Sequence, residues 1–140
     1  MNRPFKIAAL LLLLIVGLFA WYWPAIEMRV ASSAHYTEQE DDKYAYYTPE
    51  VLKTIPRISP DYSFTFSNIS GPASHVYTMT FLGTDETNVL NGYLKLKGYK
   101  EEESCMVKGV CWRHLNAQET IVVAKLESQK AVQITVVYNF

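Results

Sequence analysis

The stretch YSFTFSN (62–68) alternates aromatic and small polar side chains along its whole length. Successive side chains of a β-strand face opposite ways, so Tyr62, Phe64 and Phe66 share one face, and the serines and the threonine share the other. The pattern predicts a strand with one buried face. VYTMTFL (76–82) alternates in the same way and predicts a second strand of this kind.

A helix is predicted over residues 85–97, after the second strand. Its apolar side chains recur at helical spacing and form one stripe. They are Val89, Leu90, Tyr93 and Leu94. Thr84 or Asp85 is expected to cap its start. Gly98 is expected to end it, because glycine readily takes the left-handed conformation that follows many helices.

Four further strands are expected after this helix, in a meander. They are YKEEESC (99–105), CWRHL (111–115), TIVVAKL (120–126) and AVQITVVY (131–138). A short helix is expected to begin with Thr48 as its N-cap. Residues 48–140 are therefore predicted to form a small two-layer α+β domain. It is mainly an antiparallel sheet, in the order β-β-α-β-β-β-β, with one covering helix and one disulfide.

The segment IAALLLLLIVGLFAWYW (7–23) has no charged or strongly polar side chain. Arg3 and Lys6 precede it, and basic residues favour the cytoplasmic side of a membrane span. At about 1.5 Å per residue the segment reaches roughly 25 Å, close to the hydrocarbon core of about 30 Å. The sequence thus predicts a single transmembrane helix, with residues 1–6 cytoplasmic and the remainder exported.

The apolar segment is expected to stay attached as a signal-anchor. Cleavage needs small residues just after the apolar core, but the bulky Trp21, Tyr22 and Trp23 stand there, where they suit the membrane interface. The small-residue run ASSA (31–34) comes too late, although removal as a signal peptide remains the alternative. Residues 24–47 are predicted to be a juxtamembrane tether. The predicted location is the bacterial inner membrane, with the C-terminal domain in the periplasm.

The two cysteines, Cys105 and Cys111, are predicted to form a structural disulfide, because an exported domain meets an oxidising compartment. If residues 107–109 are a three-residue hairpin loop, Cys105 lies directly opposite Cys111, at a distance that a disulfide can bridge. Redox chemistry is a weaker interpretation, since a thioredoxin-type site has two residues between its cysteines and this pair has five. A zinc site would need two more ligands.

Composition and motifs do not favour catalysis or nucleic-acid binding. The chain has 13 basic and 14 acidic side chains, and two of the basic ones precede the apolar segment. No basic face is visible of the kind that nucleic acids require. His35, His75 and His114 show no metal-ligand spacing, and no nucleophile or phosphate-loop motif occurs. The sequence therefore predicts no catalytic residue, no metal site and no cofactor.

The main functional hypothesis is a membrane-anchored module that binds another envelope protein and acts by occupancy. An accessory subunit, a regulator and an inhibitor such as an immunity protein all fit this description. The expected contact residues follow from the rigid tip of the hairpin and from the residue types common at interfaces. They are Met106, Val107, Lys108, Trp112 and Arg113. For Trp112, packing in the core is an equally good interpretation.

Two alternatives come from other functional classes. The first is a small-ligand or lipid-binding domain, in which the strand aromatics line a cavity. These aromatics are Tyr62, Phe64, Phe66, Tyr77 and Phe81. The second is a periplasmic enzyme, which would require His75 or His114 to meet a buried carboxylate. The oligomeric state does not follow from the sequence.

Overall fold

The computed structural model describes residues 2–71, 73–102, 109–115, 118–126 and 128–139. The chain divides into two compact units, Met1–Ala31 and Ser32–Phe140. The first unit contains α1 (Arg3–Val30). The second contains β1 (Ser33–Tyr36), α2 (Asp41–Tyr47), α3 (Glu50–Thr54), β2 (Tyr62–Ile69), β3 (Ser74–Leu82), α4 (Asn88–Leu96), β4 (Lys100–Glu102), β5 (Val110–Arg113), β6 (Glu119–Leu126) and β7 (Ala131–Asn139).

The N-terminal helix α1 contains the predicted apolar segment 7–23 and continues through Pro24 to Val30. Its 28 residues rise by roughly 42 Å, more than the hydrocarbon core of about 30 Å. By length and composition it is suited to cross a membrane as an anchor, and a signal sequence has the same features. The side chains of Trp21, Tyr22 and Trp23 are all exposed on it.

Among the described residues, the sheet of the second unit has seven antiparallel strands in the order β1-β2-β3-β7-β6-β5-β4. The predicted α+β class with an antiparallel sheet is confirmed, but the strand order is not the predicted meander, because β7 lies between β3 and β6. Strand β7 buries Val132, Ile134 and Val136 completely, which favours a central position. Strand β4, with the sequence KEE, is fully exposed and takes an edge, where charged side chains discourage further pairing.

Residues 33–47, predicted as part of a tether, belong to the folded unit, which begins at Ser32. Strand β1 pairs with β2, and this pairing places Tyr36 opposite Phe64. The ring of Tyr36 is 1% exposed and stacks on both Phe64 and Tyr47. Aromatic burial of this size outweighs the polar composition of the segment, which was the basis of the tether prediction. The tether prediction was wrong for this part of the chain.

The sheet has one covered face and one open face. On the covered face, a row of residues crosses the sheet from Ala34 through Phe66, Tyr77 and Val136 to Ile121. Helix α2 packs on this face through Tyr44, which contacts Phe64, and Tyr47, which stacks on Phe66. Helices α3 and α4 add the fully buried side chains Leu52, Leu90 and Leu94. The core of the domain is therefore aromatic at the β1–β2 side and aliphatic in the middle.

The open face has a row of threonines at its centre. Thr65, Thr78 and Thr135 lie opposite one another on β2, β3 and β7, and the hydroxyls of Thr78 and Thr135 are 3.3 Å apart. These threonines are half-buried. The alternation in residues 62–68 and 76–82 thus predicted the two faces, and the helices cover the aromatic one.

Arg57 ties the helical layer to the sheet. Its guanidinium donates to the main-chain carbonyls of Leu52 at 2.7 Å and Ile55 at 3.0 Å, and to the hydroxyl of Tyr44 at 3.2 Å. The guanidinium carbon lies 5.2 Å from the centre of the Tyr62 ring. The carboxylate of Glu38, 3.5 Å from Arg57, accepts a hydrogen bond from the Tyr62 hydroxyl, which lowers the pKa of Glu38. The segment from Glu38 to Arg57 is thereby fixed on the covered face.

Helix α4 is shorter at its start than predicted. It begins at Asn88 with Thr87 as the N-cap, not Thr84 or Asp85. Its end is as expected: Gly98 has φ +92°, its N–H donates to Lys95, and the N–H of Tyr99 donates to Leu94. This double hydrogen-bond pattern ends many helices. The short helix α3 likewise begins one residue later than expected, with Pro49 as its N-cap, and Thr48 instead bonds to the hydroxyl of Tyr36.

The predicted register of the cysteine hairpin is wrong. Glu102 lies opposite Cys111, the position that the prediction assigned to Cys105. Cys111 is buried on β5, on the open face of the sheet. Cys105 lies outside the described residues. The pairing of the two cysteines therefore stays a prediction.

Candidate functional site

The predicted contact residues divide into three groups. Met106, Val107 and Lys108 lie outside the described residues. Trp112 is only 5% exposed, because the alternation of β5 places it on the covered face opposite Ile121. Arg113 is exposed and lies 3.7 Å from the carboxylate of Glu102. Trp112 is therefore a core residue, not a contact residue.

A cleft of about 490 Å³ opens where the helical layer ends, between α3, the end of α4 and the edge of the covered face. We call it the tyrosine cleft, because three tyrosines line it. Its lining residues are Glu50, Val51, Thr54, Tyr93, Lys97, Tyr99, His114, Glu119 and Tyr138. They come from α3, α4, the turn after α4, the end of β5, β6 and β7. The volume is within the range of about 300–1,000 Å³ that is usual for ligand sites.

Tyr99 organises the inner part of the tyrosine cleft. Its hydroxyl donates to Oε1 of Glu119 at 2.7 Å, and its ring meets the His114 ring edge-on at 5.3 Å between centres. Burial and the bond to the carboxylate raise the pKa of Tyr99. Burial also raises the pKa of Tyr138, and the Glu119 charge adds to this effect. Both phenols therefore stay protonated near neutral pH, and Tyr99 holds Glu119 in place.

The turn after α4 brings His114 against the helix end. A Cβ atom placed on Gly98 would lie 2.9 Å from Nε2 of His114, so the glycine is needed both for its positive φ and for this close approach. The C-terminal end of α4 and the end of β5 therefore meet at the cleft.

The outer wall of the tyrosine cleft is formed by α3 and α4. A hydrogen bond joins Oγ1 of Thr54 and the hydroxyl of Tyr93. The ammonium group of Lys97 lies 5.5 Å from the centre of the Tyr93 ring. A positive charge thus already rests on one aromatic face of the cleft.

A second cleft, of about 390 Å³, adjoins the first and shares Tyr138 with it. It lies at the same end of the sheet. Its lining residues are Tyr46, Tyr47, Thr48, Pro49, His75, Tyr77, Gln118, Tyr138 and Asn139. The rings of Tyr77 and Tyr138 pack edge-to-face at 5.7 Å between their centres.

Two leucines near the tyrosine cleft are almost fully exposed. Leu96 is 85% exposed and Leu115 is 88% exposed, the highest values for large apolar side chains among the described residues. Leu96 precedes Lys97 and Leu115 follows His114, and both of these neighbours line the cleft. Isolated exposed leucines are ordinary, but two that adjoin lining residues of one cleft in the chain mark a candidate contact surface.

The aromatic cavity of the ligand-binding alternative is not formed. Phe64, Phe66 and Phe81 are 0–6% exposed and pack against neighbouring rings, as in the Tyr62–Phe81 and Phe66–Tyr77 contacts. Of the five predicted aromatics, Tyr77 is the one that lines either cleft described above. Dense packing uses the other four to hold the domain together.

The three histidines are placed differently. His35 is exposed on β1, opposite Thr65 on the open face. His75 lines the second cleft, and His114 lines the tyrosine cleft together with Glu119. No group of three or more His, Cys, Asp or Glu side chains suited to a metal ion occurs within the described part of the chain.

The tyrosine cleft was missed in the sequence because its residues come from segments spread between positions 50 and 138. No local spacing links Glu50 to Glu119 or Tyr93 to Tyr138. The one available signal was the unusual number of tyrosines, which is 10 in the whole chain. No family model, curated protein or solved structure matches this chain.

Proposed function

We propose that this protein is held in the bacterial inner membrane by α1 and binds another envelope protein through its C-terminal domain in the periplasm. The observation that carries the proposal is the exposure of Leu96 and Leu115 beside the tyrosine cleft. Apolar side chains that flank a concave, aromatic-lined surface are typical of sites where protein partners bind.

Residues 1–6 are on the cytoplasmic side in this proposal, because Arg3 and Lys6 precede the apolar segment. Export also places Cys105 and Cys111 in an oxidising compartment, where they pair. A thiol-counting mass measurement on protein isolated without reductant tests the pairing: no alkylated cysteine is expected before reduction, and two are expected after it.

The protein acts by occupying a surface of its partner. Anchoring confines the domain near the bilayer, which raises its concentration around a membrane-bound target. A contact surface of modest size is then sufficient. An accessory subunit, a regulator and an inhibitor, including an immunity protein, all work in this way.

Site-specific photo-crosslinking in cells tests the proposal. A photoreactive side chain in place of Leu96 or Leu115 should give one dominant adduct. The adducts from the two positions should show the same increase in mass. The same side chain at Ile69 is the control, because Ile69 is an exposed apolar residue at the end of β2 on the open face. A Leu96→Lys change combined with the reactive side chain at residue 115 should weaken the adduct. Adducts of equal strength at Ile69, or none at Leu96 and Leu115, would contradict the proposal.

A further inference from the structure

The tyrosine cleft combines the two features that attract a positive charge. Glu50 on α3 and Glu119 on β6 contribute carboxylates to its lining, and three tyrosines contribute rings, whose faces carry negative potential. The folded unit as a whole adds to this field, since the exported part of the chain has more acidic than basic side chains. Lys97 and His114 are the two basic side chains in the described lining of the cleft.

Lys97 already places a cation against one ring of the cleft. Its ammonium group stands 5.5 Å from the centre of the Tyr93 ring. The side chain is exposed, so it can move away from the ring without unfolding any element. The contact is therefore an internal version of the interaction that an external cation would make.

The carboxylate of Glu119 is fixed in orientation and can accept further hydrogen bonds. Tyr99 donates one hydrogen bond to Oε1, whereas a carboxylate can accept about four. A tyrosine phenol is protonated at neutral pH, and burial raises the pKa of Tyr99 further, so this bond persists at neutral pH. Glu119 is half-buried, which makes its charge less screened than that of a fully exposed carboxylate.

From this geometry we infer that the tyrosine cleft receives a basic side chain of the partner protein, an arginine above all. The inference rests on the proposed function, because it names the chemistry of the partner at the same surface. Guanidinium is favoured over ammonium because it is planar, stacks on tyrosine rings and donates several hydrogen bonds in one plane to carboxylates. Leu96 and Leu115 then contact the apolar residues around that arginine.

The test uses the full chain in detergent micelles with carbon-13 in the histidine rings. The probe is N-acetyl-arginine methylamide, and the neutral N-acetyl-citrulline methylamide has nearly the same shape. The chain has three histidines. His114 lines the cleft and reports binding, whereas His35 is on the open face and is the internal control. Arginine is expected to shift the His114 signal saturably and to leave His35 unchanged.

Three variants sharpen the test. Glu119→Gln should weaken binding of the arginine probe by about fivefold, the factor expected for a partly exposed ion pair. Asp61→Asn removes the same charge just before β2, at the opposite end of the sheet, and should leave the affinity unchanged. Lys97→Gln removes the internal competitor from Tyr93 and should strengthen binding. A variant with a damaged fold would lose affinity for the arginine probe, so a gain in affinity separates a specific effect from damage to the fold.

The outcomes separate the inference from the proposed function. Equal binding of citrulline and arginine, an unchanged affinity in Glu119→Gln, or no shift of His114 would overturn the inference, even where crosslinks at Leu96 and Leu115 form. Charge-dependent binding in the cleft without those crosslinks would retain a cation site and overturn the partner surface. Because the titration needs no partner, each result can be obtained independently of the other.

Discussion

The two faces of the sheet show how one alternating sequence produces both a core and a surface. On the covered face, Phe64, Met79 and Ile134 lie in one row and are at most 1% exposed. On the open face, the neighbouring residues Thr65, Thr78 and Thr135 form the parallel row and stay half-buried. The helical layer therefore covers the apolar face, and the candidate site lies where this layer ends.

The largest effect is expected from a matched pair on β7. Ile134→Ala should lower the free energy of unfolding by about 2–5 kcal/mol, because it leaves a cavity under the helical layer. Thr135→Ala, one residue away on the open face, should lower it by less than about 1 kcal/mol. Urea unfolding of the chain in detergent, followed by the near-ultraviolet circular dichroism of the buried tyrosines, measures both. Equal losses would mean that the open face is covered as well.

The two arginines at opposite faces give the next comparison. Arg57→Ala removes a partly buried guanidinium that donates to several main-chain carbonyls, and should lower the free energy of unfolding by about 2 kcal/mol. Arg113→Ala breaks one exposed ion pair on the open face and should change it by less than about 1 kcal/mol. The same urea measurements apply. A small loss of unfolding free energy in Arg57→Ala would show that the segment from Glu38 to Arg57 is held by its aromatic rings alone.

The tyrosines of the covered face predict a loss of stability in alkali. Burial raises the pKa of Tyr36 from 10.0 to about 12 and also raises that of Tyr77. A group with a raised folded-state pKa stabilises the fold fully below pH 10, and this contribution is lost as pH rises toward 12. The slope is at most about 1.4 kcal/mol per pH unit for each proton involved. Urea unfolding at pH 9, 10 and 11 should show the decline, and Tyr36→Phe should make it shallower.

The opposite result for that variant would be informative. An unchanged slope in Tyr36→Phe would assign the alkaline loss to other tyrosines, such as those of the tyrosine cleft. No decline between pH 9 and pH 11 would contradict the burial of these phenols on the covered face.

Two glycines of the α4 region should give the smallest effects, with opposite signs. Gly98→Ala forces a side chain into a positive-φ position against His114 and should cost about 1 kcal/mol or more. Gly92→Ala meets nothing within 4 Å inside the helix and should stabilise by up to about 1 kcal/mol. Midpoints of thermal unfolding in detergent resolve differences of this size. Destabilisation by both changes would contradict the open surroundings of Gly92.

The sequence predicted the parts of the fold that depend on local patterns. The alternation around Phe64 and Met79 gave two strands with the correct faces, and Gly98 gave the correct helix end. The sheet order was not predictable in this way, because placing β7 between β3 and β6 depends on burying the most apolar strand in the centre. The tether prediction failed at Tyr36, because the composition of the segment does not indicate which residues its ring contacts.

The candidate site was less predictable than the fold. Trp112 was expected at a contact surface or in the core, and only the register with Ile121 decides for the core. The tyrosine cleft depends on long-range contacts, such as the bond from Tyr99 to Glu119, that connect residues 20 positions apart. Such contacts follow from strand order, which was itself the part of the fold that local patterns left open.

The central claim, that α1 anchors an exported binding domain, is tested most directly by labelling the lysines of intact cells. The amine reagent must be unable to cross the inner membrane, and the modified lysines of the chain are then identified by peptide mass spectrometry. Modification is expected at lysines of the folded unit, such as Lys43 and Lys125, and at Lys6 only after the membrane is permeabilised. Labelling of Lys6 in intact cells, with the lysines of the folded unit protected, would contradict the central claim.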